Sequence, residues 1–204
     1  ELGEWEEEIF FSYYRLGVIK AMQQKPWPEV KEAFLEAWNF RPIRAEPLYE
    51  ISRMYRSLDK PRLAYIYAKM GIEIPYPEMD ILFIAQDVYG WKMLDEFSAV
   101  AFYNNDFING YAVTKKLVDD NKFEESHKER IYENMKAYES KMAEIQHQHQ
   151  MQQEQQQMME KHKELENKLK KREEKKKKAS GGAKPKKSTK TTTQKSKYKK
   201  KKKK

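Results

Sequence analysis

The chain has 204 residues, a length that allows one domain, or one domain followed by a tail. Residues 1–145 carry 19 Lys and Arg against 26 Asp and Glu, a net charge of −7, whereas residues 146–204 carry 22 against 6, a net charge of +16. Aromatic residues divide in the same way, because 25 of 26 precede residue 146. The first part can therefore bury a core, and the second cannot offset its ordering entropy by apolar burial.

The composition also excludes several classes of protein. No cysteine is present, which excludes disulfides, thiolate metal sites, Fe–S clusters and cysteine nucleophiles. No apolar run approaches the ~20 residues of a membrane-spanning helix. The first residues are acidic, lack an initiator Met and do not resemble a signal peptide, so we expect a cytoplasmic chain that forms the middle of a longer protein.

Helical periodicity dominates the first part of the chain, and strand alternation is nearly absent. Turns that contain proline or asparagine interrupt the periodicity, because the residue before a proline is displaced from the helical region. The predicted helices cover residues 4–24, 28–40, 44–58, 61–73, 80–103, 107–118 and 124–144.

The order of these helices indicates a repeat. Pro42 and Pro75 are 33 residues apart, and the unit that contains Leu48 matches the unit that contains Leu94 with a shift of 46 residues. The second of these units has 13 extra residues within residues 75–90, where we expect them to lengthen the front of its first helix. A period near 34 residues is typical of tetratricopeptide-type helical hairpins.

Small residues favour the same interpretation, because they let helix axes approach closely while aromatic and Leu side chains fill the grooves. They are Gly17, Ser52, Ala64, Ser98 and Gly110. We therefore predict an all-α fold of about three tetratricopeptide-like hairpins, with the last amphipathic helix as a cap over the final repeat. An irregular helical bundle with the same apolar stripes is the alternative.

The predicted domains are a helical-repeat domain over residues 1–145, a Gln/Glu/Lys-rich helical extension over residues 146–178 and a disordered polylysine tail over residues 179–204. The extension contains eight glutamines within residues 146–157, which favours a solvated helix. The same extension has three apolar residues spaced seven apart, as in a coiled coil, and a coiled coil is the alternative to a solvated helix.

The tail contains 12 lysines within residues 184–204 and attracts nucleic acid or an anionic membrane through charge alone. The candidate polyanion-binding residues are Lys184, Lys186, Lys187, Lys199 and Lys200. The same runs fit a nuclear-import signal, or a solubilising end without a specific function.

No catalytic motif is found: the chain has no Gly-rich phosphate loop, no Gly-x-Ser-x-Gly and no His-Glu-x-x-His. His147 and His149 are two residues apart, so they point to different helix faces, which argues against a metal site. We therefore predict no catalytic residue, no metal and no cofactor for these residues.

One face is a candidate binding surface. In helical hairpin repeats the first helix of each pair lines the concave face, and the alignment places six polar or aromatic residues there: Tyr14, Tyr49, Arg53, Arg56, Lys92 and Asp95. Two of them are arginines three residues apart, which could grip an anionic group. Alternatively, they pair with Glu50 and Glu46 or are only solvated. Tyr89 and Trp91, in the inserted segment, are expected to pack in the core.

Several ordered motifs carry a resemblance to a known family. They are Phe11-Ser12-Tyr13-Tyr14-Arg15-Leu16-Gly17, Phe40-Arg41-Pro42-x-Arg44-Ala45-Glu46, Leu48-Tyr49-Glu50, Ile74-Pro75-Tyr76-Pro77 and Asp87-Val88-Tyr89-x-Trp91-Lys92-x-Leu94-Asp95-Glu96. Together they resemble the tetratricopeptide-like region that follows the catalytic domain in some bacterial and large-virus family 2 glycosyltransferases. The resemblance covers about residues 4–140. That catalytic domain uses an Asp-x-Asp motif, which is absent here, so no catalytic residue carries over.

Two functions are therefore open. The first is a non-catalytic interaction or scaffold module that binds a peptide, a protein domain or a glycan on its concave face. The second is the accessory region of a glycosyltransferase whose nucleotide-sugar-binding domain precedes Glu1 in a longer protein. The coding sequence upstream of Glu1 discriminates between them.

Overall fold

The computed structural model describes residues 3–180. Within that range the chain is all-α, with seven α-helices, one turn of π-helix and no strand, as the sequence predicts. The α-helices are α1 (Gly3–Met22), α2 (Trp27–Phe40), α3 (Glu46–Ser57), α4 (Pro61–Ile72), α5 (Met93–Tyr103), α6 (Phe107–Asp120) and α7 (Glu125–Ser180). The π-helical turn, Val88–Lys92, leads directly into α5.

Local signals set the helix ends. A proline occupies the first or second position of α2, α3 and α4, where its fixed φ suits a helix and its missing N–H is not needed. The carboxylate of Asp106 caps α6 by accepting a hydrogen bond from the backbone N–H of Asn109. The same helix is capped at its C-terminus by Asn121, which has a φ of 45° in the left-handed region.

The helices form three consecutive hairpins, α1 with α2, α3 with α4, and α5 with α6, and each hairpin packs on the next. The described residues belong to two units that divide between Gln150 and Met151. In the first unit, Ile131 and Tyr138 of α7 are buried, and the Tyr138 hydroxyl donates a 2.6 Å hydrogen bond to the Ser98 carbonyl of α5. Helix α7 therefore covers the last hairpin. In the second unit, residues 151–178 are exposed.

Small residues lie where the helices approach most closely. Gly17 of α1 faces the ring of Phe34 so tightly that a Cβ atom would lie 2.6 Å from Cδ1 of that ring. Ala64 of α4 is completely buried, and the Ser52 hydroxyl of α3 donates a 2.9 Å hydrogen bond to its carbonyl. At the corresponding place in the third hairpin, a Cβ atom on Gly110 would collide with the Tyr138 side chain of α7.

The inserted segment lengthens the front of the helix only in part: residues 86–92 are helical and lead into α5, whereas the predicted helix start at residue 80 is wrong. Residues 73–85 are irregular. Their backbone is held by buried charged groups: the Glu7 carboxylate accepts hydrogen bonds from the N–H groups of Ile81 and Leu82 at 2.9 and 2.6 Å. This carboxylate accepts the backbone hydrogen bonds that helical carbonyl groups would otherwise accept. The segment can therefore be partly buried without being helical.

A buried ionic cluster completes the anchoring of this segment. Arg44 is fully buried, donates a 2.7 Å hydrogen bond to Glu46 and contacts Asp80 at 3.1 Å. It also donates to the carbonyl of Phe83 at 2.8 Å, and its guanidinium lies 4.5 Å from the centre of the Phe10 ring. The interactions of Arg44 therefore connect the insertion to the first two hairpins.

The two aromatic residues of the inserted segment point inward, as expected. Trp91 is buried, and the Tyr89 hydroxyl donates a 2.8 Å hydrogen bond to Glu46. That hydroxyl also accepts a 2.9 Å hydrogen bond from the backbone N–H of Ala45 at the start of α3. Tyr89 thus links the insertion to the ionic cluster.

Candidate functional site, a groove between α3, α5 and α7

Helices α3, α5 and the first turns of α7 surround a cavity of about 690 Å³, which we call the central groove. All of its walls belong to the first unit. Its charged and aromatic lining residues are Tyr49, Arg53, Arg56, Asp59, Trp91, Lys92, Asp95, Glu96, Phe102, Tyr103, His127, Arg130 and Tyr138. The volume is in the usual range for a ligand pocket.

The structure brings five of the six predicted concave-face residues to this groove: Tyr49, Arg53, Arg56, Lys92 and Asp95. Tyr14 is not among them. Its ring lies 5.8 Å from that of Phe34 in the first hairpin, and burial raises the pKa of its phenol, with a smaller contribution from the Glu50 charge. Tyr14 therefore belongs to the packing of α1 on α2.

Arg56 is held by a carboxylate from the next hairpin. Its Nε donates hydrogen bonds of 3.0 Å to both oxygens of Glu96, and its Nη2 lies 2.9 Å from one of them. Glu96 also accepts a 3.2 Å hydrogen bond from the Ser52 hydroxyl. The hydrogen bonds to Glu96 raise the pKa of Arg56 above its ordinary value, so the guanidinium stays charged. The alternative in which the two arginines pair with Glu46 as well as Glu50 is wrong for Glu46, because that carboxylate pairs with Arg44.

Two further arginines have carboxylate partners at the groove. Arg53 donates to Glu50 at 2.7 Å, one turn earlier on α3, which is the pairing that the sequence offers as its alternative. Arg130 of α7 donates two hydrogen bonds to Asp95, of 2.9 and 2.7 Å. Lys92 pairs with Asp87. Each cation is therefore oriented by its own carboxylate.

The cations and the carboxylates differ in how far they reach the solvent. The side chains of Arg53, Arg56 and Arg130 are 49%, 46% and 44% exposed, and those of their partners Glu50, Glu96 and Asp95 are 19%, 3% and 15% exposed. The carboxylates thus lie beneath the guanidinium groups. The Lys92–Asp87 pair has the opposite order, with side chains 30% and 46% exposed, so the positive groups that reach farthest into the solvent are the three guanidinium groups.

Aromatic side chains complete the walls. The Trp91 ring lies 5.1 Å from the His127 ring, and Nδ1 of that histidine is 3.2 Å from Arg130. Tyr103 is an exposed aromatic residue at the groove. Burial raises the pKa of Tyr49 to about 12, with further contributions from Glu50 and other carboxylates, so its phenol is neutral and can donate a hydrogen bond at neutral pH.

Sequence reasoning missed the contribution of α7. Arg130 and His127 lie in the predicted capping helix, 35 and 32 residues after Asp95. A cap that covers the last hairpin must lie beside its helices, so the polar residues of its first turns were candidates for the same surface. The predicted binding surface included only the first helices of the hairpins, so no residue of α7 was assigned to it.

No metal site emerges from residues 3–180, since they contain no group of three or more His, Cys, Asp or Glu side chains arranged to hold an ion. In the same range, no helix has the length and apolar character to cross a membrane. The candidate tail residues Lys184, Lys186, Lys187, Lys199 and Lys200 lie outside the described residues.

The sequence matches no protein-family model, and a comparison with curated proteins gave no match. The groove and its ion pairs are therefore the basis for a functional proposal.

Proposed function

We propose that this chain is a non-catalytic helical-repeat interaction module, and that its central groove binds an acidic segment of a partner protein. The observation that carries the proposal is the exposure of three guanidinium groups above three buried or half-buried carboxylates. Such an arrangement presents oriented positive charge to the solvent.

The arginines retain hydrogen-bonding capacity for a ligand. Arg53 uses Nε and Nη2 for Glu50, and Arg56 uses the same two nitrogens for Glu96. Within residues 3–180 no group accepts a hydrogen bond from Nη1 of either arginine, so this nitrogen can donate to an incoming oxygen. The carboxylates beneath fix the guanidinium planes before binding, which lowers the entropy lost when a ligand is bound.

The shape and the remaining walls favour a peptide over a small anion. A cavity of about 690 Å³ accommodates several side chains. The guanidinium groups come from two different helices, α3 and α7, so an extended segment with spaced acidic residues can meet both. Tyr103 adds an exposed aromatic surface for an apolar residue of the same segment.

Fluorescence anisotropy with a labelled oligoglutamate peptide tests this proposal. The double variant Arg53→Gln/Arg130→Gln removes one guanidinium from each wall, and we expect its affinity to fall about tenfold. A matched control is Arg62→Gln/Lys116→Gln, which removes two exposed positive charges elsewhere. Because the basic tail would itself bind an oligoglutamate, all of these proteins carry a deletion of residues 175–204, which leaves residues 146–174 with no net charge. Equal losses in the two double variants would mean that only net charge matters and would overturn the groove proposal.

A second candidate function is the accessory region of a family 2 glycosyltransferase. The observation that favours it is the placement of the motif residues that carry the resemblance. Arg41, Arg44, Glu46 and Tyr89 belong to the buried ionic cluster around Asp80, while other motif residues line the groove. Upstream coding sequence with a nucleotide-sugar-binding domain and an Asp-x-Asp motif would favour this function, and an unrelated or absent domain would overturn it.

A further inference from the structure

The second half of helix α7 carries an apolar stripe that is open to the solvent. Residues 151–178 are helical, and each of them is exposed. Met151, Met158 and Leu165 recur every seven residues and are 44%, 71% and 58% exposed. Leu169, one turn after the last of them, is 57% exposed. Apolar residues repeated in this way form the seam of a coiled coil.

The stripe defines a heptad register. Six consecutive positions follow the alternating spacing of four and three residues that a seam requires: Met151, Gln155, Met158, His162, Leu165 and Leu169. Four of the six are apolar, and the two polar ones occupy a positions, where a polar residue lowers the stability of a coiled coil without preventing its formation. An association through this seam should therefore be weak and depend on concentration.

The charges beside the seam differ between its two flanks. Lys161 and Lys168 each directly precede an a position and are the g residues of their heptads, whereas Glu166 and Glu173 each directly follow a d position and are e residues. One flank is thus basic and the other acidic. Lys168 also lies 3.9 Å from Glu164 of its own helix, but the two side chains are 72% and 73% exposed, and such surface pairs contribute little.

This asymmetry favours one partner in one orientation. In a parallel pair of helices, each g residue faces the e residue of the following heptad on the other helix. Lys161 then meets Glu166 of the second copy, and Lys168 meets Glu173 of that copy. In an antiparallel pair, g residues face g residues and e residues face e residues, which would oppose like charges. The segment is therefore complementary to a parallel copy of itself.

We propose that two copies of this chain associate through residues 151–173 of α7 as a parallel, in-register coiled coil. The two-fold symmetry of the pair makes each lysine–glutamate contact occur twice. A dimer has two central grooves and two copies of the basic sequence after residue 178, so a ligand with repeated binding sites is held bivalently. The association does not depend on what the central groove binds.

Sedimentation velocity of the full chain over a range of concentrations tests the association. Wild type should dimerise as its concentration rises, and Leu165→Glu, which places a charge in the seam, should raise the dimer dissociation constant about tenfold or more. The matched control is Asn167→Glu, which adds the same charge on the opposite side of the same helix and should dimerise like wild type. A wild type that stays monomeric, or equal behaviour of the two variants, overturns the proposal.

A gain of affinity provides an independent test of the seam. His162→Leu replaces a polar seam residue with an apolar one, and we expect the dimer dissociation constant to fall about tenfold. Gln156→Leu adds the same side chain outside the seam and should leave the dissociation constant close to that of wild type. If both substitutions strengthen the association equally, general apolar attraction explains it and the heptad register is wrong.

Introduced cysteines test the parallel orientation, since the chain has no cysteine of its own. Met151→Cys and Leu169→Cys lie at opposite ends of the seam, and a disulfide needs Cα atoms within about 7 Å. In the parallel pair, each variant should form a disulfide-linked dimer with itself in a glutathione redox buffer. Gln156→Cys, outside the seam, is the control and should cross-link much less. Cross-linking only in a mixture of the two seam variants, or equal cross-linking of the control, overturns the parallel register.

Discussion

Arg44 and Asp80 form an ion pair that is fully buried, with Nη1 and Oδ2 3.1 Å apart and neither side chain exposed. The two residues are 36 positions apart, and the pair joins the start of α3 to the irregular insertion. Removing one partner of a buried pair leaves the other charge without compensation. The pair is therefore the most sensitive point of the network that holds the insertion.

We expect Asp80→Asn to reduce the free energy of unfolding by about 3 kcal/mol, because Arg44 and Arg41 then lose their charged acceptor. Urea denaturation followed by circular dichroism measures this change. The control is Glu78→Gln, an exposed acidic residue in the same segment, for which the expected change is within about 0.5 kcal/mol. Equal effects at the two positions would contradict the role of the buried pair.

The same carboxylate makes stability depend on pH. Hydrogen bonds from Arg41, and then from Arg44, hold the pKa of Asp80 below its ordinary value. A group whose pKa is lower in the folded state stabilises the fold above its unfolded pKa of about 3.9, and this contribution is lost as the pH falls through the folded pKa. The difference in unfolding free energy between wild type and Asp80→Asn should therefore shrink as the pH is lowered from about 5 to 3. A constant difference over that interval would show that the pKa of Asp80 is the same in the folded and unfolded states, which contradicts the ion pair.

The contact between α3 and α4 provides a test of packing. Ala64 is completely buried and its carbonyl accepts the Ser52 hydroxyl, so Ala64→Leu must force the two helices apart. We expect a loss of about 1–3 kcal/mol in the free energy of unfolding. Ala112→Leu on the exposed face of α6 adds the same side chain without a neighbour to displace, and its thermal midpoint should be close to that of wild type.

Two glycines should respond in opposite ways to the same change. A Cβ atom at Gly17 would lie 2.6 Å from the buried Phe34 ring, so Gly17→Ala should cost about 1–3 kcal/mol of unfolding free energy. A Cβ atom at Gly90 would have no neighbour within 4 Å among the described residues, and Gly90→Ala should stabilise the fold by about 0.5 kcal/mol by restricting the unfolded chain. Thermal melts of both variants give the comparison, and a thermal midpoint that Gly17→Ala leaves unchanged would contradict the close contact of α1 with α2.

The sequence predicts the hairpins well because each depends on local signals. Apolar spacing and the prolines at the starts of α2, α3 and α4 act within a few residues, and Ser52 and Ala64 are only 12 positions apart. The insertion was misjudged for the opposite reason. Ile81 and Leu82 suit a helical stripe, but their N–H groups bond to Glu7, 74 and 75 positions earlier, and no local pattern reveals such a partner.

The groove was predicted only in part for a similar reason. The repeat period alone assigns Arg53 and Arg56 to the first helix of a hairpin. That assignment predicts that both arginines lie on the binding surface, and both line the groove. Their partners differ in distance: Glu50 is three residues from Arg53, and Glu96 is 40 residues from Arg56. Since a single sequence does not reveal which of many acidic residues lies opposite a given arginine, the second pairing required the structure.

The basic tail allows a final prediction, which rests on charge. Residues 146–204 carry a net charge of +16, and residues 151–178 are exposed, so that stretch has no buried core of its own. We expect the full chain to bind DNA, RNA and anionic vesicles, with an affinity that falls steeply with salt and is nearly independent of base sequence. Deleting residues 175–204 should abolish this binding and leave the thermal midpoint of the hairpins unchanged.

The repeat region has a net charge of −7 and therefore opposes a second polyanion site, apart from the local arginines of the groove. Salt titrations of the full chain and the deletion variant measure the effect, and binding that survives the deletion or resists ~0.5 M salt would place the polyanion site on the groove instead.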